Sequence, residues 1–148
     1  MKKYIISGIL AATLFLAACS KDNGGDNTAV SAQNISNAAY GTDPLQKADI
    51  YLPANRSSSF TKVMIMIHGG AWSVGDKTEF NAFVDTIKRR LPDYAIVNIN
   101  YRLANGTSNL FPTQENDVKA AVEFIYSKRN EYNISDKFVL LGASAGAH

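Results

Sequence analysis

The chain of 148 residues is 46% hydrophobic and 19% charged, a composition that is ordinary for a globular protein and too apolar for a disordered one. Its formal net charge of +2 gives no basic excess, so we expect no nucleic-acid partner, and its single cysteine excludes an intrachain disulfide. The length is that of one domain.

The N-terminus has the layout of a secretory signal peptide. Two lysines follow Met1, and an apolar run extends from Tyr4 to Ala18, which is shorter than the about 20 residues needed to span a bilayer. The end of this run, Leu16-Ala17-Ala18-Cys19, resembles a bacterial lipobox, where a lipidated cysteine becomes the first mature residue. We predict a lipoprotein signal peptide over residues 1–18 and acylation of Cys19; an ordinary signal peptide with a chance cysteine is the alternative.

The segment that follows is predicted to be a lipid-anchored, flexible tether over residues 19–33. It is polar, contains glycines and has no hydrophobic period. Its start, Ser20-Lys21-Asp22, resembles the surface-export signal of Bacteroidota lipoproteins. We therefore expect an exported domain over residues 34–148, held on a bacterial membrane through Cys19, with the outer membrane or the cell surface as its location.

Four segments of the domain are predicted to be β-strands. Ala48–Leu52 alternates in polarity and is ended by Pro53. Val63–Ile67, Tyr94–Tyr101 and Phe138–Leu141 are almost continuously apolar, as expected for strands that are buried on both faces.

Two amphipathic helices are predicted between these strands. Asp76 and Glu79 form a capping-box pattern at the start of the first, Pro92 ends it, and the second begins near Pro112-Thr113. Each helix carries one apolar stripe that we expect to pack into the core: Phe80, Phe83, Val84, Ile87 and Leu91 in the first, and Val118, Ala121, Val122, Ile125 and Tyr126 in the second.

Buried strands that alternate with one-sided helices predict an α/β fold with a mostly parallel sheet flanked by helices. In such sheets ligands bind beyond the carboxyl ends of the strands. The residues that follow Ile67, Tyr101 and Leu141 are therefore the first candidates for a functional site.

The sequence after the last apolar strand is Gly142-Ala143-Ser144-Ala145-Gly146, a G-x-S-x-G motif. Glycines on both sides of the serine allow a sharp strand-to-helix turn that exposes the hydroxyl of Ser144 as a nucleophile, so Gly142 and Gly146 are predicted to form a nucleophile elbow. A phosphate-binding loop is the alternative, but the segment has neither G-x-G-x-x-G nor a Gly-Lys-Ser/Thr ending.

The sequence after the first buried strand is His68-Gly69-Gly70-Ala71-Trp72. Two consecutive glycines allow backbone N–H groups to converge on one point, as an oxyanion hole requires. A plain Gly-Gly turn is the alternative. Because the motif lies two strands before a nucleophile elbow, the combination favours the oxyanion hole.

The order and spacing of these motifs resemble α/β-hydrolase esterases of the HGGAW and GxSAG type, which include carboxylesterases, feruloyl-esterase-like and formamidase-like enzymes. The matching segments are Asp49-Ile50-Tyr51-Leu52-Pro53, His68 to Trp72 with Gly75-Asp76-Lys77, Asn100-Tyr101-Arg102-Leu103, Phe111-Pro112 with Asp117, and Gly142 to His148.

The resemblance implies the α/β-hydrolase fold and a serine hydrolase that acts on carboxylic esters, small or linked to polysaccharides, without a metal or cofactor. It implies that Ser144 is the nucleophile, that the N–H groups of Gly70, Ala71 and Ala145 form the oxyanion hole, and that Gly69 shapes the loop. It gives no catalytic role to His68, His148, Arg102 or Asp117. A serine peptidase of the same fold and a non-catalytic or decayed surface lipoprotein are the alternative functions.

The remaining triad residues are expected to be absent from this sequence. In α/β-hydrolases the acid and the histidine follow the serine in the chain, and only His148 follows Ser144 as a histidine. We expect neither His148 nor His68 to act as the general base. On the order of 100 further residues complete hydrolases of this plan. We therefore expect a truncated domain without its later strands, with Phe138–Leu141 as an exposed apolar edge that makes folding poor.

Overall fold

The computed structural model describes residues 29–148. The predicted signal peptide, Cys19 and most of the predicted tether lie outside these residues. Among the described residues, no helix is both long and apolar enough to cross a membrane.

Five strands and two α-helices make up the described part of the chain. They are β1 (Gln33–Ala39), β2 (Lys47–Leu52), β3 (Lys62–Ile67), α1 (Asn81–Arg90), β4 (Tyr94–Ile99), α2 (Thr113–Tyr132) and β5 (Phe138–Gly142). Two short 3₁₀ turns, Lys77–Phe80 and Ser144–Ala147, precede α1 and follow β5.

The strands form one mixed sheet in the order β1-β2-β4-β3-β5. β3 is parallel to both β4 and β5, while β2 is antiparallel to both β1 and β4. The predicted α/β class is confirmed. Ile67 is in register with Ile99 of β4 and Gly142 of β5, so the carboxyl ends of three parallel strands lie side by side at one edge of the sheet.

The two helices cover opposite faces of the sheet. The larger core cluster joins Ile65 of β3 and Val97 of β4 to Ile125 of α2. The smaller cluster joins Met66 and Ile96, the adjacent residues on the same two strands, to Val84 of α1. Successive strand residues point to opposite faces, so the central strands are buried on both sides, as their apolar runs predict.

The stripe predicted for α1 is only partly core, which corrects the expectation from periodicity. Val84 is buried, but Phe83 is 58% and Leu91 38% exposed. The predicted capping box of Asp76 and Glu79 is present, yet it caps the 3₁₀ turn, and the α-helix begins only at Asn81. Leu91 is the C-cap with φ −129° and lies outside the helix, so its side chain no longer follows the helical period of the stripe.

The second predicted stripe packs better, because α2 is twice as long as α1. Ala121 and Ile125 are buried, whereas Tyr126 at the edge of the stripe is exposed. The predicted start at Pro112-Thr113 is confirmed.

β5 is an edge strand with an exposed apolar surface. Val139, Leu140 and Leu141 are 42%, 53% and 40% exposed. Within residues 29–148 the expected apolar edge is therefore confirmed. An exposed row of apolar side chains beside unpaired backbone groups is prone to pair with other strands.

Candidate active site

The predicted nucleophile elbow has the backbone geometry that its glycines allow. Ser144 has φ +48°, in the left-handed region, directly after β5. A Cβ on Gly142 would collide with the carbonyl oxygen of Gly146, and a Cβ on Gly146 would collide with the carbonyl oxygens of Ile67 and His68 at the end of β3. The two glycines therefore allow the turn to fold tightly onto itself and onto the central strand, with Ser144 exposed at its tip.

The predicted oxyanion loop lies against this elbow. A Cβ on Gly69 would be 3.3 Å from Cβ of Ser144 and 2.9 Å from the carbonyl oxygen of Ala143. The next three residues, Gly70, Ala71 and Trp72, have φ values of +105°, +49° and +63°. Left-handed backbone at two non-glycine residues costs about 1–2 kcal/mol each, and such strain is concentrated at functional sites.

The N–H groups expected to bind an oxyanion are not used elsewhere. Among residues 29–148, no backbone or side-chain hydrogen bond of the loop is donated by the N–H of Gly70 or Ala71. Ala145 is the second residue of its 3₁₀ turn, where N–H groups have no partner within the turn. The structure thus brings Gly69, Gly70, Ala71, Ser144 and Ala145 to one edge of the sheet, as the motifs predict.

Trp72 connects the loop to the elbow. Its indole Nε1–H donates to the carbonyl oxygen of Ala145 at 2.9 Å. Its ring meets the ring of His148 edge to face, with centroids 5.5 Å apart, and lies 6.1 Å from the ring of Phe111. In the sequence Trp72 is only the last residue of the motif that begins at His68, and no hydrophobic period predicts its contact with Ala145.

His68 lies beneath the loop and is buried. Its ring stacks on Tyr101 with centroids 4.3 Å apart and planes 9° from parallel. Nδ1 is 2.7 Å from the carbonyl oxygen of Gly69, so Nδ1 carries the proton and donates. This arrangement matches the expectation of a hydrogen-bonded structural imidazole rather than a general base.

Tyr101 holds the same stretch of backbone from below. Its hydroxyl donates to the carbonyl oxygens of His68 at 2.9 Å and Gly69 at 3.1 Å. Burial raises the pKa of Tyr101 to about 12, so the hydroxyl remains a donor at neutral and moderately alkaline pH.

Lys77, at the end of the loop, is fixed by contacts with two strands. Its ammonium contacts Oδ2 of Asp49 at 2.5 Å. Its N–H donates to Oδ1 of Asn100 at 2.5 Å, and its carbonyl oxygen accepts from Nδ2 of Asn98 at 2.6 Å. Sequence reasoning matched Gly75-Asp76-Lys77 to the family motif but did not predict a buried lysine, because its partners are more than 20 residues away.

Asp76 belongs to the same network. Burial tends to raise its pKa, but hydrogen bonds from the Thr78 backbone and from Asn100, together with the nearby Lys77 ammonium, outweigh this effect and lower the pKa to about 2. The carboxylate is therefore ionised at neutral pH and caps the turn in its stronger, charged form.

Asp117 is buried and fully engaged in structural contacts. Arg102 approaches it with both its side chain and its backbone N–H, the closest contact being 2.6 Å, and Nε2 of Gln46 donates to it at 2.8 Å. This ion pair joins α2 to the loop after β4. Arg102 and Asp117 thus stabilise the contact between α2 and this loop.

A cavity of about 520 Å³ opens beside the elbow, between α2, β5 and the last 3₁₀ turn. Its walls are mainly apolar and aromatic, with Trp72, Tyr101, Phe111 and Val118 among them. Gln114 also lines it, and within residues 29–148 its buried Oε1 has no hydrogen-bond partner. Among residues 29–148, no cluster of three or more metal-ligating side chains is present.

Known proteins with similar sequences include methylesterases and formamidases. The chain is 31% identical over 110 residues to a probable isoprenylcysteine alpha-carbonyl methylesterase of Arabidopsis thaliana, covering 74% of this chain and 22% of that protein. It is 31% identical over 108 residues to kynurenine formamidase of Meyerozyma guilliermondii, covering 73% of this chain and 38% of that protein.

Solved structures show the same relationship. A bifunctional GH43-CE protein of Bacteroides eggerthii matches with a TM-score of 0.63 and 32% identity, over 78% of this chain and 16% of that one. Esterase B of Lactobacillus rhamnosis, with a bound tributyrin phosphonate inhibitor, matches with a TM-score of 0.63 and 26% identity, over 80% of this chain and 38% of that one. The chain thus spans about two fifths or less of the length of each of these relatives.

These relatives place the fold among the α/β-hydrolase esterases. The sequence model of BD-FAE matches residues 48–148, a stretch that contains the oxyanion loop, the elbow and all strands except β1 and the first residue of β2. The chain belongs to the BD-FAE family.

Proposed function

We propose that the protein is a serine hydrolase that cleaves carboxylic esters through an acyl-enzyme on Ser144. The observation that carries the proposal is the close approach of Gly69 to Ser144, whose side chain is exposed. The N–H groups of Gly70 and Ala71, which donate no hydrogen bond within residues 29–148, support the assignment of the oxyanion hole. The esterase names of the relatives support the same reaction class.

The reaction proceeds by addition and elimination. Oγ of Ser144 attacks the acyl carbon and loses its proton to a general base, while the carbonyl oxygen becomes an oxyanion held by N–H donors. The leaving alcohol takes a proton from the base, and water then hydrolyses the acyl-enzyme by the same steps in reverse. Each donor of an oxyanion hole contributes about 10²–10³ in rate.

We propose that the general base is a histidine outside these 148 residues. His68 donates Nδ1–H to Gly69 and stacks on Tyr101, and His148 packs against Trp72. The greater length of the relatives supports this proposal. The substrate class we propose is an ester of a small molecule or of a carbohydrate, in line with one structural neighbour, a truncated carbohydrate esterase from gut microbiota.

A fluorophosphonate probe tests the nucleophile. In protein expressed from the complete reading frame of the gene, we expect labelling of Ser144 and ester hydrolysis, and both are lost in Ser144→Ala. Ser127→Ala, on the exposed face of α2, is the matched control and should behave as wild type. The chain 1–148 alone should label slowly and show no turnover. Labelling of another serine in the complete protein, or turnover by chain 1–148, would contradict the proposal.

We also propose that Cys19 is acylated and anchors the protein to a bacterial membrane. The lipobox-like sequence before it supports this assignment. Metabolic labelling with a radioactive fatty acid should mark the wild type and Ser20→Ala but not Cys19→Ala. A wild-type protein that remains unlabelled and partitions into the aqueous phase of a detergent extract would disprove the anchor.

A further inference from the structure

The peptide between Gly69 and Gly70 is held by hydrogen bonds on one side only. Its carbonyl oxygen accepts from the hydroxyl of Tyr101 at 3.1 Å and from Nδ1 of His68 at 2.7 Å. On the same side, Gly75 closes over it, because a Cβ there would be 2.6 Å from the carbonyl oxygen of Gly69 and 2.5 Å from Nδ1 of His68. Two buried side chains and the backbone of Gly75 therefore surround one carbonyl oxygen.

The planarity of the peptide bond transmits this constraint to the opposite side. In a trans peptide the C=O and the following N–H point in opposite directions. Donors that fix the carbonyl oxygen of Gly69 toward His68 and Tyr101 therefore fix the N–H of Gly70 away from them. Gly69 itself approaches Ser144 of the elbow, so this peptide borders the exposed serine.

The peptide needs this constraint because glycine adopts many backbone conformations at little cost. Gly70 has φ +105°, and a glycine on each side of the peptide lowers the steric barrier to its rotation. If the peptide turned over, its carbonyl oxygen would face the position of the oxyanion and repel it.

We propose that Tyr101 is a positioning residue of the oxyanion hole: its hydroxyl, with Nδ1–H of His68, holds the peptide between Gly69 and Gly70 so that the N–H of Gly70 points at the reacting carbonyl oxygen. The role rests on the proposed esterase function. Hydrogen bonds to the carbonyl oxygen also polarise the peptide and strengthen its N–H as a donor. Because burial raises the pKa of Tyr101, the hydroxyl keeps its proton throughout the pH range of ester hydrolysis.

The matched pair of variants is Tyr101→Phe and Tyr40→Phe. Tyr40 is also buried, and its hydroxyl also donates to a backbone carbonyl oxygen, that of Asn100, at 2.5 Å. Both substitutions remove one hydroxyl and leave the ring, so they cost similar stability by the same mechanism. Of the two, only Tyr101→Phe removes a hydrogen bond to the peptide between Gly69 and Gly70.

Two measurements separate the structural claim from the catalytic one. In the isotopically labelled complete protein, Tyr101→Phe should change the carbonyl ¹³C shift of Gly69 and the amide dipolar coupling of Gly70, and Tyr40→Phe should leave both unchanged. In the complete protein, Tyr101→Phe should slow fluorophosphonate labelling of Ser144 by about tenfold or more, less than the loss of a whole donor. Tyr40→Phe should slow it less than twofold.

Each outcome decides a different claim. An unchanged Gly69–Gly70 peptide in Tyr101→Phe, or equal slowing by both variants, would overturn the positioning role. A wild-type Ser144 that does not react would refute the proposed function, while the spectra would still decide what Tyr101 holds. If Tyr101→Phe does not fold, His68→Phe removes the other donor to Gly69 and retains an aromatic ring against Tyr101, so the same two readouts apply.

Discussion

Replacing Lys77 by Met should destabilise the protein by about 3 kcal/mol. The ammonium lies 2.5 Å from Oδ2 of Asp49, and the two side chains are only 8% and 13% exposed. Removing one partner of a buried pair costs about 3–5 kcal/mol, because the other charge remains buried and unpaired. We take the lower end because the backbone N–H of Asn37 still donates to Asp49 at 2.8 Å and because methionine preserves most of the packed stem.

Urea denaturation followed by circular dichroism measures this loss, and Lys128→Met is the matched control. Lys128 contacts Glu131 at 2.7 Å, a similar distance, but the side chains are 39% and 60% exposed. An exposed pair of this kind contributes little to stability, because water and salt screen it. The double substitution Lys77→Met, Asp49→Asn should recover part of the stability, since it removes the unpaired charge. If Lys77→Met costs no more than Lys128→Met, the pair does not hold the end of the loop.

Three further predictions concern the elbow, the buried tyrosine and the sheet edge. Gly146→Ala should prevent folding or lower the free energy of unfolding by several kcal/mol in thermal denaturation, because its Cβ would meet backbone oxygens at the end of β3. Gly106→Ala, with open space around it among the described residues and φ +55°, should lower it by about 1 kcal/mol. Equal losses of stability in the two variants would contradict the steric argument. The contribution of Tyr101 to stability is complete below pH 10 and is lost as the pH rises through about 12, since its folded pKa is raised. The difference in tyrosinate absorbance between wild type and Tyr101→Phe should therefore appear only as the pH approaches about 12, and its appearance near pH 10 in a chain that circular dichroism shows to be folded would contradict this. Leu140→Lys should reduce self-association in analytical ultracentrifugation, because it places a charge on the exposed apolar edge. Tyr126→Lys changes an exposed residue of α2 and should leave self-association unchanged. Equal self-association of the two variants would exclude β5 as the contact.

The sequence predicts those parts of the structure that depend on neighbours in the chain. β3, β4 and β5 are continuous apolar runs, and each appears within two residues of its predicted bounds. The turn at Ser144 is predicted equally well, since glycines two residues before and after it are what a tight strand-to-helix turn requires.

β1 was not predicted as a strand because its pattern carries no strong signal. Gln33–Ala39 has a polar, asparagine-containing sequence, and most of its residues are exposed. The strand exists through antiparallel pairing with β2, whose partner residues lie 15 or more positions away in three of the five register pairs. A bulge between Ile35 and Ala38 breaks the alternation. Pairing with β2, and not the local β-propensity of its residues, therefore makes this segment a strand.

The geometry of the candidate site also depends partly on residues that are neighbours in the chain and partly on residues that are distant in the chain. The motifs specify where the backbone can adopt left-handed φ values, but they do not specify what keeps it there. Ala71 and Trp72 are not glycines, so their φ values of +49° and +63° require compensation from elsewhere in the fold. The compensating contacts come from three directions: Lys77 is bound by β2 and β4, the hydroxyl of Tyr101 holds the backbone of His68 and Gly69, and the indole of Trp72 is bound to Ala145 of the elbow. Each partner is at least 20 residues away in sequence, so the loop can have this geometry only after the sheet has formed. A substitution at Lys77, Tyr101 or Trp72 should therefore change the backbone conformation of the oxyanion loop, although all three residues are far from Ser144 in the sequence.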